Sequence, residues 1–322
     1  MKRRTILSAA LGAAALGVGG WLGGRSRWQE FATGGVVFGT TASLRVLHED
    51  EAGARTALSA AMAALRGVDR LMSLHRPDSE LSRLNRDGVL EQPDPRLLSV
   101  LQAAQATAQL TGGAFDVTVQ PLWDAANGSA DPAAALARVG WRKLEVGAER
   151  VRLSEPGMAV TLNGIAQGYG ADVALAALRA HGIAHALLDT GEFGSLGQRD
   201  DGQPWTLAVR DPRDPQAAAQ LLSADGRCLA TSGDYETAFS ADFSRHHIVD
   251  PKTGASPQEL ASVSVLAPTG LQADALSTAC MVLGMEKSLQ LAARLPQVDV
   301  LCIAKSGEVR KSAGFPGAPR SA

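Results

Sequence analysis

A carboxylate and a hydroxyl stand four residues apart in an apolar stretch of the chain, at Asp274 and Thr278. The stretch predicts a helix over 273–284, on which residues four apart share one face. These side chains are hard oxygen ligands, and Mg²⁺ takes few ligands from a protein and the remainder from substrate phosphates. The same pattern also fits an acidic residue that interacts favourably with a helix dipole and binds no ligand.

A second candidate is the glycine-rich segment 162–172, where Gly164, Gly168 and Gly170 separate a predicted strand from a predicted helix. Backbone N–H groups in such a loop can bind phosphate oxygens, and its carbonyl groups can coordinate a hard cation. The spacing matches neither the dinucleotide fingerprint nor the P-loop. A tight turn between strand and helix explains the glycines equally well.

The segment 111–118 places two glycines before a strand-like run that contains Asp116. Gly112 and Gly113 allow the backbone to come close to a ligand, and Asp116 can accept hydrogen bonds from a base or a ring amide. A helix C-cap followed by a turn explains Gly112 without any ligand.

Two adjacent histidines, His246 and His247, precede a segment with turn composition at 250–254. They fall on a predicted strand over 246–249, in which neighbouring side chains face opposite sides. We therefore do not expect them to chelate one metal ion. One of them can meet a ligand while the other packs or faces solvent.

Helices and strands mix without strict alternation, and no repeat or long linker divides them. The predicted helices cover 52–74, 79–85, 95–110, 131–140, 170–181 and 273–284. The predicted strands cover 36–46 with a break at Gly39, 143–146, 151–153, 160–162, 186–189, 205–210, 228–231, 246–249, 262–267 and 298–304. This pattern predicts one α+β domain with a mostly antiparallel sheet and packed helices, spanning 28–322.

Composition excludes several classes of partner. The chain carries 31 Lys and Arg against 33 Asp and Glu, a net charge of -2, so no basic excess predicts binding to nucleic acid. Aromatic residues make up only 4% of the chain, too few for a stacking platform for single strands. Cys228, Cys280 and Cys302 lie far apart with no CxxC pair, and we interpret them as buried apolar residues.

Residues 1–27 differ from the rest of the chain. Lys2, Arg3 and Arg4 precede an uncharged stretch rich in Ala and Gly that extends to Gly24, a pattern typical of an export signal. The Arg pair is compatible with the twin-arginine route, which predicts a periplasmic location. The stretch is also long enough to span a bilayer, so the alternative is an anchor in the inner membrane facing the periplasm. A buried helix of the domain is a third interpretation, which the glycines disfavour.

Six short segments carry a resemblance to one known protein family, and the resemblance covers roughly residues 36–315. They are 71–85, 113–122, 163–172, 231–235, 247–254 and 273–278. In this order they resemble the ApbE family, the FAD:protein FMN transferases. Each segment is weak alone, but the shared order makes chance a poor explanation. The resemblance implies a T-fold-like α+β domain.

The resemblance also implies a reaction and a site. An enzyme of this family uses Mg²⁺ to transfer FMN from FAD to a Thr or Ser hydroxyl of an exported or membrane flavoprotein, releasing AMP. Asp274 and Thr278 would hold Mg²⁺ by side chains and Gly164 by its carbonyl. His247 would lie near the reacting phosphate, and it or a carboxylate would take the hydroxyl proton. The residues implied to line the FAD are Phe38, His75, Ala114, Phe115, Asp116 and Gln167.

Three positions depart from the family pattern. Many members carry a Gly-Gly pair after the strand that here ends at 188–189, whereas this chain has the sequence Gly-Glu-Phe-Gly at 191–194. Glu192 therefore places a carboxylate near the expected flavin. Glu192 resembles a variant associated with accessory proteins of nitrous oxide reductase. Gln167 stands where many members have Lys, and Phe38 replaces the commoner Met.

Two other functions use the same residues. An FAD pyrophosphatase would transfer FMN to water, and a non-catalytic flavin-binding assembly protein would bind without turnover. Glu192 and Gln167 favour the binding protein, whereas the intact pair of Asp274 and Thr278 argues against it.

Overall fold

The computed structural model of the chain describes residues 28–126, 128 and 131–317. The described residues form thirteen strands and eight α-helices. The strands are β1 (Gln29–Val37), β2 (Thr40–His48), β3 (Val89–Glu91), β4 (Leu144–Val146), β5 (Arg150–Leu153), β6 (His185–Asp189), β7 (Phe193–Leu196), β8 (Thr206–Arg210), β9 (Ala218–Ser223), β10 (Cys228–Gly233), β11 (Leu260–Ala267), β12 (Asp299–Ala304) and β13 (Val309–Lys311). The helices are α1 (Glu51–Met72), α2 (Glu80–Asp87), α3 (Pro95–Leu110), α4 (Gln120–Ala126), α5 (Pro132–Ala137), α6 (Ala166–Ala180), α7 (Gly270–Leu283) and α8 (Met285–Ala292).

The main sheet has eight strands in the order β1-β2-β6-β7-β10-β11-β12-β13. Every neighbouring pair in it is antiparallel. β3, β5 and β4 form a small antiparallel sheet, and β8 and β9 form a separate hairpin. The predicted α+β class with a mostly antiparallel sheet is confirmed.

Helix α6 packs between α1 and α7, and these helices cover one face of the main sheet. The largest core lies between them and the sheet and includes Leu65, Leu178 and Val263. A second core joins the outer side of these helices to α3 and the small sheet, and a third lies under the β8–β9 hairpin. A fully buried side chain such as Leu65 contributes about 2 kcal/mol through the hydrophobic effect.

Local signals explain the helices that were predicted closely. α3 begins at Pro95, and the side chain of Asp94 accepts a hydrogen bond from the Arg96 N–H at 2.8 Å. α1 begins after Asp50, whose carboxylate accepts from the Gly53 N–H at 2.7 Å. Both predicted helices are confirmed, with α1 ending two residues earlier than expected.

The predicted strand over 36–46 is confirmed from Thr40 onward as β2, and the predicted break at Gly39 is the turn of a hairpin, so residues 36–37 end a separate strand, β1. Phe38 and Gly39 have φ values of +53° and +77°, as a two-residue type I′ turn requires. The turn joins β1 to β2 with an unbroken register from Gln29↔His48 to Val37↔Thr40. β1 was missed because its two glycines weaken the alternation of apolar and polar side chains.

The predicted strand over 160–162 is also absent, because a side chain occupies the backbone groups that a strand would use. The Asn85 amide donates to the Val160 carbonyl at 2.8 Å and accepts from the Val160 N–H at 2.7 Å. The Thr161 N–H donates to the Val117 carbonyl. The segment is therefore irregular but fixed.

The predicted strand over 246–249 is replaced by a single bridge between Ala238 and His246. The Ser256 hydroxyl accepts from the His246 N–H at 2.9 Å and donates to the His246 carbonyl at 2.8 Å. The predicted turn over 250–254 is confirmed, with Gly254 at a φ of +72° and its N–H bonded to the Asp250 carbonyl.

Several short elements were not predicted, because segments of three to eight residues carry too little periodicity. They are β3, β7, β9 and β13, with the helices α4 and α8. The predicted export signal or anchor at residues 1–27 lies outside the described residues. Among the described helices, none combines the length and the apolar character that crossing a bilayer requires.

Candidate active site

A cavity of about 470 Å³ opens where the β1–β2 turn, the N-terminal turns of α6 and α7, and the end of β10 meet. Its size is within the usual range of small-molecule sites. The predicted site residues that line it are Phe38, Ala114, Phe115, Asp116, Gly164, Gln167, Glu192, His247, Asp274 and Thr278. His75 does not line the cavity, because it lies exposed in the turn after α1.

The first turns of α6 and α7 meet and cap each other. Asp274 on α7 accepts a hydrogen bond from the Gly168 N–H on α6 at 2.9 Å. In return, Asp172 on α6 accepts from the N–H groups of Gly270 and Leu271 on α7, at 2.7 and 2.9 Å. Free N–H groups at a helix N-terminus need such partners, so this exchange fixes Asp274 at the cavity.

Two glycines make this junction possible. A Cβ atom at Gly168 would lie 2.1 Å from the Gly270 carbonyl oxygen, and one at Gly270 would lie 2.4 Å from the Gly168 carbonyl oxygen. Gly168 therefore serves helix packing and belongs to α6, which begins at Ala166. The expected helix start at Gly170 was wrong, because Gly170 is also within the helix, where the Phe38 ring occupies the space of a Cβ atom.

Gly164 lies against Thr278 in the same corner of the cavity. A Cβ atom at Gly164 would lie 2.7 Å from the Thr278 hydroxyl oxygen, so the backbone approaches this side chain closely. The Ser232 hydroxyl lies 3.3 Å from the Thr278 hydroxyl and 2.7 Å from the Ser277 hydroxyl. Ser232, near the end of β10, belongs to the segment 231–235 that resembles the family, but the resemblance implied no role for it.

Glu192 is buried beside Asp274, with only 6% of its surface exposed. Its Oε2 atom is buried without a hydrogen-bond partner among the described residues. Burial, and then the charge of Asp274, raises the pKa of Glu192 well above its ordinary value. Burial also raises the pKa of Asp274.

Two buried carboxylates that share a site without a cation are electrostatically costly. Among the described residues, no cluster of three or more His, Cys, Asp or Glu forms a metal site. The oxygen donors that line this part of the cavity are instead the carboxylates of Asp274 and Glu192 and the hydroxyl of Thr278. Such oxygen donors suit Mg²⁺, which retains positions for water or phosphate oxygens.

His247 is one of the residues that line the cavity. Its backbone N–H donates to the Thr237 carbonyl at 2.9 Å, whereas its ring Nδ1 is buried and has no hydrogen-bond partner in the part of the chain that the structure describes. Burial, assisted by the adjacent His246, lowers the pKa of His247 to about 4, so the ring is neutral at pH 7. His246 does not line the cavity, and its Nε2 lies 3.1 Å from the Pro257 carbonyl.

Asp116 reaches the cavity, but its carboxylate is already engaged by the chain. It accepts hydrogen bonds from the Thr118 N–H and hydroxyl at 2.8 and 2.6 Å, and from the Trp141 N–H at 2.8 Å. Burial raises its pKa. The preceding Gly113 ends α3, because its N–H bonds the Ala108 carbonyl at 2.7 Å.

The loop 234–247, which ends in His247, is held at its base by a buried ion pair. Arg213 donates two hydrogen bonds to Asp234 at 2.7 and 2.8 Å, and Asp234 is fully buried. The Lys305 ammonium lies 3.6 Å from Asp234 and donates to the Phe243 carbonyl at 2.7 Å. Sequence reasoning missed this pair, because its members lie 21 residues apart.

The sequence of this chain is similar to those of one known protein family. The sequence profile of the ApbE family matches residues 38–302. An FAD:protein FMN transferase of Treponema pallidum is 35% identical, over 92% of this chain and 90% of its own length. A second from Klebsiella pneumoniae is 32% identical, over 85% of this chain and 84% of its own.

Solved structures agree with the sequence comparison. The flavin transferase ApbE of Vibrio cholerae superposes with a TM-score of 0.79 at 29% identity, covering 89% of this chain and 98% of that one. The flavinyl transferase ApbE of Pseudomonas stutzeri, in its apo form, gives a TM-score of 0.77 at 30% identity, over 89% and 95% of the two chains. This chain belongs to the ApbE family.

Proposed function

We propose that this chain is an FAD:protein FMN transferase that attaches FMN to a hydroxyl side chain of an acceptor protein. The observation that carries the proposal is the cavity itself, in which buried carboxylates, a neutral histidine and apolar walls converge. The similar proteins of Treponema pallidum and Klebsiella pneumoniae are FAD:protein FMN transferases. The acceptor is an exported or membrane flavoprotein with an exposed Thr or Ser.

The buried carboxylates supply the binding site for a divalent cation. Asp274 and Thr278 would hold Mg²⁺ by their side chains and Gly164 by its carbonyl, with Glu192 adding negative charge. When bound, Mg²⁺ neutralises charge on the pyrophosphate of FAD. The unpartnered Oε2 of Glu192 supports this assignment, because a nearby cation would stabilise its ionised form.

The other residues that line the cavity would bind the flavin, bind the phosphates and accept the proton of the acceptor hydroxyl. Phe38, Ala114 and Phe115 give the cavity an apolar wall for the flavin, and Gln167 offers an uncharged donor to a phosphate oxygen. His247 is neutral and can accept the proton of the acceptor hydroxyl. The hydroxyl oxygen bonds to the phosphorus of the FMN half, the P–O bond to the AMP half breaks, and AMP leaves.

The test mixes the full chain with FAD, Mg²⁺ and an acceptor protein that presents an exposed Thr, followed by a denaturing gel viewed under ultraviolet light. We expect a fluorescent acceptor band that disappears with chelator and with Thr→Ala in the acceptor. Released AMP and FMN without a band would identify a pyrophosphatase instead. Intact FAD in the presence of Mg²⁺ would identify a binding protein.

We propose further that residues 1–27 direct export to the periplasm by the twin-arginine route. The support is the Arg3-Arg4 pair ahead of an uncharged stretch rich in Ala and Gly. The test follows a C-terminal reporter in cell fractions. We expect the wild type in the periplasm and the R3K/R4K double variant in the cytoplasm, whereas recovery of the wild type from washed membranes would favour the anchor.

A further inference from the structure

Strand β1 forms one edge of the main sheet. It pairs with β2 on one side, and the strands within the described residues provide no neighbour on its other side. The type I′ turn joins the Val37 carbonyl and the Thr40 N–H by its own hydrogen bond. Because bonded and non-bonded positions alternate in an antiparallel pair, the N–H and carbonyl groups of Ala32, Gly34 and Val36 point away from β2.

This edge lacks the features by which proteins prevent unwanted strand pairing. Such edges are usually shortened, bulged, or interrupted by proline or charged residues. Residues 31–37 contain no charged residue and no proline, and the register with β2 has no bulge. Val36, beside the turn, is 72% exposed and so presents an apolar side chain to a bound segment.

The edge leads directly to the cavity. β1 ends at the turn, and Phe38, Gly39 and Thr40 all line the cavity. From Ala32 to Val36 the strand extends about 13 Å, enough for four or five paired residues of a second chain. A segment bound along this edge would place its next residues at the mouth of the cavity.

We propose that the acceptor protein docks an extended segment as an additional strand on the free edge of β1, which delivers its hydroxyl residue into the cavity. The proposal rests on the transferase function, which requires a polypeptide at the cavity mouth. Pairing through the backbone tolerates different sequences, so one edge can serve a short segment whose only fixed requirement is the hydroxyl residue.

Ala32→Pro tests this edge with little damage to the hairpin. The Ala32 N–H points away from β2, so proline removes a group that the acceptor would use and no bond of the β1–β2 ladder. Ala32→Thr keeps the N–H and is the matched control. Val36→Lys places a charge on the same edge without changing the backbone, so the test survives if Ala32→Pro perturbs folding.

We expect Ala32→Pro and Val36→Lys to raise the KM for the acceptor protein at least 10-fold. The dissociation constant for FAD, measured by flavin fluorescence, and the Tm should stay at the wild-type values. Ala32→Thr should behave as the wild type in all three measurements. A wild type that gives no fluorescent acceptor band would refute the transferase function, whereas a band with unchanged KM in both edge variants would refute only the docking edge.

Two other occupants give distinct results. A wild-type dimer in sedimentation that Ala32→Pro converts to a monomer would assign the edge to a second copy of the chain. A fall in the acceptor KM in Ala32→Pro would assign it to a segment of the same chain that competes with the acceptor. Either result would overturn the proposal.

Discussion

Two buried acidic clusters, one in the cavity and one at the base of the loop 234–247, differ in what balances their charge. Asp234 is fully buried and receives two hydrogen bonds from Arg213, with Lys305 close by. Asp274 is 3% exposed and Glu192 6% exposed, yet in the described part of the chain neither has an ion-pair partner, and Asp274 receives only the Gly168 N–H. The two clusters are thus buried to a similar degree, but within the described residues only Asp234 has cationic side chains that balance its charge.

We interpret the difference as one between a charge that serves the fold and charges that await a ligand, as the proposed function requires. A buried carboxylate with its own cations stabilises the folded chain locally, because removing either partner leaves a charge without compensation. A pair of buried carboxylates without cations destabilises the chain until a ligand supplies the positive charge. Binding sites are often built with such unfavourable electrostatics.

The largest effect should follow from removing the carboxylate of the uncompensated cluster. Asp274→Asn keeps an oxygen for the Gly168 N–H but removes the charge that would bind Mg²⁺. We expect FMN transfer to fall by about 100-fold or more. We also expect the rise in Tm on adding saturating Mg²⁺, equivalent to about 2.7 kcal/mol at one hundred times the dissociation constant, to disappear.

Asp172→Asn is the matched control, because Asp172 caps α7 but does not line the cavity. It should lower the Tm and keep the response to Mg²⁺. An unchanged Mg²⁺ response in Asp274→Asn would show that the cation binds elsewhere.

The compensated cluster should respond in the opposite way. Arg213→Ala leaves the fully buried carboxylate of Asp234 without its two strongest hydrogen bonds, so we expect the free energy of unfolding to fall by about 3 kcal/mol. The Mg²⁺ response should remain, because it depends on the other cluster. Urea denaturation measures the loss, and Asp201→Ala in the exposed pair with Arg199 should cost less than about 1 kcal/mol.

His247, which lines the cavity, makes the stability of the fold depend on pH. Its pKa is lowered to about 4 in the folded chain by burial, whereas an unfolded histidine has a pKa of about 6.5. The unfolded chain therefore binds the additional proton first, and stability is lost as the pH falls from 6.5 towards 4. At pH 5 the loss due to His247 should be about 2 kcal/mol relative to pH 8.

Urea denaturation at pH 8 and pH 5 measures this dependence in the wild type and in His247→Gln. The variant should lose about 2 kcal/mol less than the wild type between the two pH values. His181→Gln, at the exposed end of α6, should match the wild type. Parallel losses in His247→Gln and the wild type would contradict the assigned cause.

The smallest effect should come from giving the uncompensated cluster a cation of its own. The Gln167 amide lies beside Gly191, next to Glu192 in sequence. Gln167→Lys should therefore raise the free energy of unfolding without Mg²⁺ by about 1 kcal/mol and reduce the Mg²⁺ response. Gln290→Lys, on the exposed face of α8, should change neither quantity.

The sequence predicted those parts of the molecule that depend on neighbouring residues. α3 was predicted with its bounds, because Asp94, Pro95 and the glycines that follow it are local signals. The strands at 160–162 and 246–249 were wrong, because Asn85 and Ser256 occupy backbone groups from distant positions. No local pattern contains that information.

The candidate site divides in the same way. Asp274 and Thr278 were found from their spacing, and the resemblance indicated Gln167 and His247. The Gly168 contact with Asp274 joins residues 106 positions apart, and the burial of Glu192 Oε2 without a partner among the described residues depends on everything packed around it. Spacing can indicate which side chains share a helix face, but it cannot indicate which charge will lack a partner.

The mutual capping of α6 and α7 has a consequence for how the family can vary. A side chain at Gly168 would collide with Gly270, and the reverse is also true. Asp172 and Asp274 each accept a hydrogen bond from the N-terminal turn of the opposite helix. A change at one of these four positions disturbs a helix that the other three also support, so they should covary across relatives. An aspartate retained at position 274 would then be explained by capping alone, even in a relative that has lost the ability to turn over a nucleotide.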